Sequence, residues 1–201
     1  MPRLTNKLTT LDSILESAAD IFWEKGFDAL TFKAVAKKVG VSQPAIYSHV
    51  ENKMDLLRKV LLWSAQVGRQ YIDSKLDPRN KALDNLKIYV EANLNFFHEQ
   101  KMHAHSILAL YYFGANNEAI KTLYFDTQIA AMSRISIFLI QAQHENKLQI
   151  GCEQQLSFEI HTLLIGFCYR SIYADKKLDQ KKIISIAHQA MAKLTKPYTL
   201  L

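Results

Sequence analysis

Apolar side chains recur at helical spacing along almost the whole of this sequence. Leu11, Ile14, Leu15, Ala18, Ile21 and Phe22 follow the i, i+3, i+4, i+7 pattern of an amphipathic helix. Thr9 or Thr10 can cap its start, and Asp12 puts an anion in the first turn, where the helix dipole favours one. Gly26 is predicted to end this helix as a left-handed residue, with Phe27 folding back onto Phe22. A shorter copy follows: Thr31 as cap, Phe32, Val35, Ala36 and Val39 as the apolar stripe, Gly40 as the stop. Ser42 then caps a third helix, from Gln43 to about His49, with Pro44 in its first turn and Ile46, Tyr47 and Val50 on its inner edge.

Asn52, with Asp55 three residues on, reads as the start of a fourth helix that runs to about Leu76, where Asp77-Pro78 breaks it. Beyond the break the period stays helical over 80–99, 102–114, 117–147, 153–174 and 179–195. No segment alternates as a strand would. The chain reads as all-α.

The composition narrows the class. At 201 residues the chain exceeds the common single-domain size of about 100–150. A hydrophobic share of 49% with 22% charged residues is that of a globular chain, not a disordered one. Six Gly and four Pro exclude collagen-like and low-complexity classes and are few for a many-stranded fold. The two cysteines, Cys152 and Cys168, cannot staple a chain of this size, which points to a reducing compartment. They lie in no metal-ligand pattern. His103 and His105 fall about 200° apart on a helix, so they cannot chelate one ion. No metal and no cofactor are expected. The run Leu163–Tyr169 is far short of the roughly 18 apolar residues of a membrane span, and no signal peptide is readable, so the expectation is a cytoplasmic protein without a membrane partner. No GxSxG, phosphate loop, HExxH or paired-carboxylate motif occurs, so no enzyme is expected.

Of the net charge of +6, most sits in one stretch. Residues 31–60 carry Lys33, Lys37, Lys38, Lys53, Arg58 and Lys59 against Glu51 and Asp55. Residues 31–50 have the anatomy of a helix-turn-helix, two short helices about a Gly-containing turn. In that arrangement Gln43 has an amide able to pair with adenine, and Ala45 a methyl sized for thymine. Tyr47 and His49 suit phosphates, as do Thr31 and Lys53 at helix starts, and Lys33 adds a base or phosphate contact. The other reading of the same polar row is a helical hairpin that simply meets water.

Residues 10–60 also resemble the N-terminal domain of the TetR (tetracycline repressor) family of bacterial transcription regulators. The resemblance rests on Ala18, Ala19, Phe22, Gly26, Phe27, Thr31, Ala36, Gly40, Val41, Ser42, Tyr47, His49, Lys53 and Leu56, spaced as in that family. Val50 departs from it, since the family more often has Phe there. The resemblance implies a homodimer with a DNA-binding domain over 1–53 and a helical ligand-binding and dimerisation domain over 54–201. It also implies a duplex operator, pseudo-palindromic in sequence, and a repressor released by a small molecule, with Ser42 joining the DNA-binding set.

The C-terminal two-thirds adds physical expectations of its own. Helix 153–174 is apolar on nearly all sides, so it must be covered all round, either in a large core or by a second subunit. The subunit reading places Leu164, Phe167, Ile184, Ala187 and Met191 in the contact, completing a four-helix bundle. Aromatic residues are dense in the middle of the chain. They are either core or the wall of an apolar ligand cavity, for which Trp63, Phe97, His105, Tyr112, Phe125 and Phe167 are the candidates. Such a cavity would take a small hydrophobic or aromatic molecule. Two other classes remain open at this point: an architectural DNA-binding protein that senses nothing, and a helical carrier or enzyme.

Overall fold

The computed structural model describes residues 10–174 and 179–200, and over them the chain is helical throughout. The elements are α1 (Thr10–Ala29), α2 (Phe32–Val39), α3 (Gln43–Tyr47), α4 (Lys53–Asp73), α5 (Ala82–Glu99), α6 (Lys101–Gly114), α7 (Glu118–His144), α8 (Glu153–Ile172) and α9 (Gln180–Thr195). Thr9, one of two candidate caps for α1, lies outside the described residues. A short 3₁₀ turn over Lys196–Tyr198 follows α9, and an isolated bridge pairs Leu148 with Thr199. By contacts the chain divides into two compact units, Met1–Gln66 with His105–Leu123, and Val67–Ala104 with Tyr124–Leu201.

In the first unit the apolar stripe of α1 forms the floor of the core. Ile14, Ala18 and Ala19 are fully buried, and Val35, Ile46, Leu56 and Leu57 reach the same core from α2, α3 and α4. Gly26 interrupts the helix as its position predicts, at a positive φ: it holds φ 77° and ψ −179°, a conformation open essentially to glycine alone, and a further short helical stretch runs to Ala29 beyond this kink. Phe27, sent aside by that kink, meets Phe113 of α6 at 5.0 Å, and Phe22 meets the same ring at 6.2 Å. Gly40 behaves as its position predicts. It is left-handed, and the N–H groups of Gly40 and Val41 both return to the carbonyl of Ala36.

The second unit is built on α5, α8 and α9. Leu86, Val90 and Leu94 from α5 meet Leu156, Ile160, Leu164 and Cys168 from α8 and Ile183, Ala187 and Met191 from α9, all buried. Asp179 caps α9 by accepting from the Lys182 N–H at 2.7 Å. α7 stops at Asn146, which takes the left-handed conformation while Lys147 N–H reaches back to Ala142. Gln143 then ties the α7–α8 turn together, donating to the Gln149 carbonyl and to Glu153, both at 2.8 Å. Cys152 and Cys168 are buried and form no disulfide, and burial pushes the Cys168 thiol up, away from the thiolate form. Among the described residues α7 alone is long and apolar enough, by length and composition, to cross a membrane. Its Arg134, however, pairs with Asp73 of α4 and lies over the Tyr89 ring of α5.

His161 of α8 is buried in the second unit, and burial pushes its imidazole below the ordinary value. The unfolded chain therefore takes up that proton first as the pH falls. Unfolding should become easier below about pH 6.5, until the native imidazole is itself protonated. Thermal melts should show a falling transition temperature from about pH 7 to pH 5, and the His161→Gln variant a flatter dependence over that window. An equal slope in both proteins would mean that other groups carry the effect.

Candidate nucleic-acid interface

The head of the first unit is assembled from caps. Thr31 Oγ1 accepts from the Ala34 N–H at 3.1 Å and starts α2, leaving its own hydroxyl proton able to donate outward. Ser42 stands at the start of α3 in an extended conformation without a side-chain cap bond, so its exposed hydroxyl is not used locally. α3 itself is only five residues long, two fewer than the spacing predicted, because Ser48 and His49 already belong to the turn.

Ile46 is the anchor of α3, with no exposed surface at all. The period of the helix then turns Gln43 and Tyr47, one turn apart, outward, and Tyr47 keeps 58% of its surface exposed. The Tyr47 ring is held edge-on against Phe32 at 4.6 Å, which fixes where its hydroxyl points. Ala45 and His49 are half-buried at the rim of the same face, and Thr31 and Lys33 are exposed at the start of α2. The head thus supplies one short helix with an amide and a methyl along it, and hydroxyl, imidazole and ammonium groups around it.

Lys53 is less exposed than its charge suggests. Its ammonium donates to the Asp28 carbonyl at 3.2 Å and sits 4.2 Å from the centre of the Phe27 ring, so it also ties the start of α4 to the end of α1. Lys38 pairs with Asp20 of α1 at 3.0 Å. The sequence reading overlooked the role of Asp55. Burial pushes its carboxyl up, but hydrogen bonds from Lys59, the Glu51 N–H and Arg58 outweigh this and hold it below the ordinary value. The available signals were the Asn52–Asp55 cap and the Asp55–Lys59 spacing of four.

The other expected sites are distributed differently. Trp63, His105 and Tyr112 belong to the first unit and Phe97, Phe125 and Phe167 to the second, so neither unit holds all six. Tyr112 is 72% exposed and Phe125 51%, whereas Phe97 is buried. His105 lies between the rings of Phe22, at 5.1 Å, and Trp23, at 5.2 Å. Its Nδ1 is buried without a hydrogen-bond partner, and burial pushes its imidazole down, towards the neutral form. Leu164, Ala187 and Met191 are buried within the second unit, and Phe167 and Ile184 are half-buried. With Val90 and Ile160, four of these five (Leu164, Phe167, Ala187 and Met191) line a small apolar pocket with space for about one water.

A short exposed helix set by a glycine turn on a small helical head defines a helix-turn-helix protein. Residues 14–60 match the family described as bacterial regulatory proteins, tetR family. The chain is 41% identical over 46 residues to the class D tetracycline repressor protein of Escherichia coli, covering 23% of this chain and 21% of that protein. It is 35% identical over 48 residues to a negative transcriptional regulator of a biofilm operon from Staphylococcus epidermidis, covering 24% of this chain and 26% of that one. The matched stretch thus spans about a quarter or less of these relatives. The fold likeness is wider. A transcriptional regulator from Rhodococcus sp. Rha1 superposes with a TM-score of 0.80 at 14% identity, over 96% of this chain and 100% of its own. One described as a putative transcriptional regulator, from Saccharomonospora viridis and solved in complex with choline, gives 0.79 at 16%, over 94% and 97%. The TetR-family match is thus confined to the N-terminal stretch 14–60, while the likeness over the rest of the chain is one of fold.

The cap at Thr31 has a measurable weight. Both tryptophans, Trp23 and Trp63, lie in the first unit, so their fluorescence reports its unfolding. Thr31→Ala should lower stability by about 1 kcal/mol in urea titrations, and Thr31→Ser should restore most of it. A Thr31→Ala midpoint equal to wild type would remove the cap from the account of α2.

Proposed function

We propose that this protein is a DNA-binding transcriptional regulator, a repressor that leaves a pseudo-palindromic operator when a small molecule binds. The observation that carries the reading is the exposed Gln43–Tyr47 face of α3, anchored by Ile46 in a head whose residues 14–60 match the TetR family. In this reading Gln43 and Ala45 meet base edges in the major groove, and Thr31, Ser42, Tyr47, His49 and Lys53 hold phosphates on either side. Lys33 adds a further contact. The protein acts in the cytoplasm, where its DNA lies. Domain boundaries near residue 53 separate the reader from the body that senses and dimerises.

The neighbour from Saccharomonospora viridis binds choline, which supports small-molecule sensing by this fold. For this chain the ligand is a small hydrophobic or aromatic molecule, with Trp63, Phe97, His105, Tyr112, Phe125 and Phe167 as the residues to vary.

A second copy of the chain completes the regulator, because two reading helices must meet two half-sites about 34–36 Å apart. The outer face of α8 suits that contact. Phe158 is 61% exposed, Tyr169 53% and Tyr173 66%, with the small residues Thr162 and Gly166 between them. Of the residues expected in the contact, Leu164, Ala187 and Met191 are buried in the unit itself, whereas Phe167 and Ile184 are half-buried and remain open to a partner. An apolar strip of this kind on an isolated chain is what an isologous contact covers.

Two experiments test the reading. Against a randomised half-site library, Gln43→Ala should relax preference at one base pair per half-site, by about 1–3 kcal/mol. Uniform loss across the library would take Gln43 out of base reading. In sedimentation, Tyr169→Asp should give a folded monomer, since the added charge would be stranded in the contact. A Tyr169→Asp dimer of wild-type stability would move the contact elsewhere.

A further inference from the structure

We propose that Asp55 and Lys59 form a clamp that sets the pose of α3, so that Lys59 positions the reading helix without itself touching DNA; this rests on the DNA-binding reading above. A helix of five residues cannot hold itself, since most of its backbone groups lack intrahelical partners. At its start the Ser42 side chain makes no cap bond. Its one fully buried side chain is Ile46, which fixes depth but leaves rotation about that point open.

The other end is where α3 is tied down. Lys59 Nζ donates to the His49 carbonyl at 2.7 Å and to Asp55 Oδ2 at 2.8 Å. The same Oδ2 accepts from the Glu51 N–H at 3.1 Å, and Oδ1 from Arg58 Nη2 at 3.1 Å. Asn52 Oδ1 in turn accepts from the Asp55 N–H at 3.0 Å, which fixes the first turn of α4. One carboxylate, its side chain only 12% exposed, thus joins the exit of α3 to two residues one turn further along α4. Charge-assisted bonds of this length are the strong ones, and shelter from solvent keeps them so.

The clamp also reassigns charge. Arg58 and Lys59 belong to the basic stretch 31–60, yet both are turned onto Asp55. The Lys59 ammonium, held by both Asp55 and the His49 carbonyl, is then not available to displace counterions from a duplex, so it does not contribute to the salt dependence of binding. Lys59 acts on affinity through the angle of α3.

The test uses the full chain and two duplexes, one selected by the wild-type protein from a random library and one scrambled. Binding is followed by fluorescence anisotropy across a potassium chloride series, below the melting temperature of each variant. Lys59→Met should lose about tenfold or more on the selected duplex and little on the scrambled one, with the slope of log affinity against log salt unchanged. Lys59→Arg should recover most of the loss. A parallel loss on both duplexes, with a slope smaller by about 1 per protomer, would make Lys59 a phosphate contact and overturn the clamp. Wild-type affinity in Lys59→Met would overturn it as well. Amide hydrogen exchange supplies a readout that needs no DNA. The Ser48, His49 and Val50 N–H groups, which bond back to Pro44 and Ile46, should exchange faster in Lys59→Met and regain protection in Lys59→Arg. Unchanged protection would refute the clamp even if DNA binding stands. If the wild-type protein selects no duplex, the DNA reading fails, and exchange alone decides the clamp. Lys59→Gln takes the place of Lys59→Met, under the same criteria, should the latter not fold.

Discussion

One fully buried side chain has to hold α3 in place. Ile46 is wholly inside the head, and every other residue of that five-residue helix is exposed or only half-buried. A side chain in a core resists withdrawal, but a single one resists rotation poorly. The surroundings of α3 make sense against that constraint. Gly40 turns the chain sharply enough to pack α3 against α2, Phe32 props the Tyr47 ring, and Lys59 holds the His49 carbonyl in the turn that follows. The helix is short because the turn begins at Ser48, and its rigidity is supplied by its neighbours.

Both units pack aromatic as well as aliphatic side chains between their helices. In the first, aromatic rings from α1 and α6 interlock, with Phe113 meeting both Phe22 and Phe27. In the second, aliphatic residues of α5, α8 and α9 interdigitate, and the apolar side chains of α8 divide between that core and an outer face. A helix that is apolar on nearly all sides can do both. In and just after α8, Leu164 and Cys168 are buried while Phe158, Tyr169 and Tyr173 remain exposed, so one side of the helix serves the core of its unit and the other carries an apolar surface strip.

Charge follows the same logic of competition between inside and outside. The basic stretch that marks the head is not uniformly offered to solvent. Lys38 pairs with Asp20, Lys53 lies over Phe27, and Lys59 and Arg58 turn onto Asp55. Lys33 and Lys37 remain exposed. A count of charges along a chain therefore overstates what a nucleic acid would meet, because some lysines also serve as long tethers between elements.

The helices and their caps were legible in the sequence because they depend on neighbours within a turn or two. The period of α1, the Thr31 cap, the left-handed Gly40 and the start of α4 at Asn52 all rest on contacts a few residues apart, and the family pattern over 14–60 is of the same local kind. Tertiary structure decided what spacing cannot express. It gave Phe27, just past the interruption at Gly26, the Phe113 ring as a partner more than eighty residues away. It buried Leu164, Ala187 and Met191 in the core of the second unit, since periodicity finds an apolar face without naming what covers it. It also set which lysines face outward, because a flexible four-carbon side chain goes wherever folding brings a carboxylate or carbonyl within its reach.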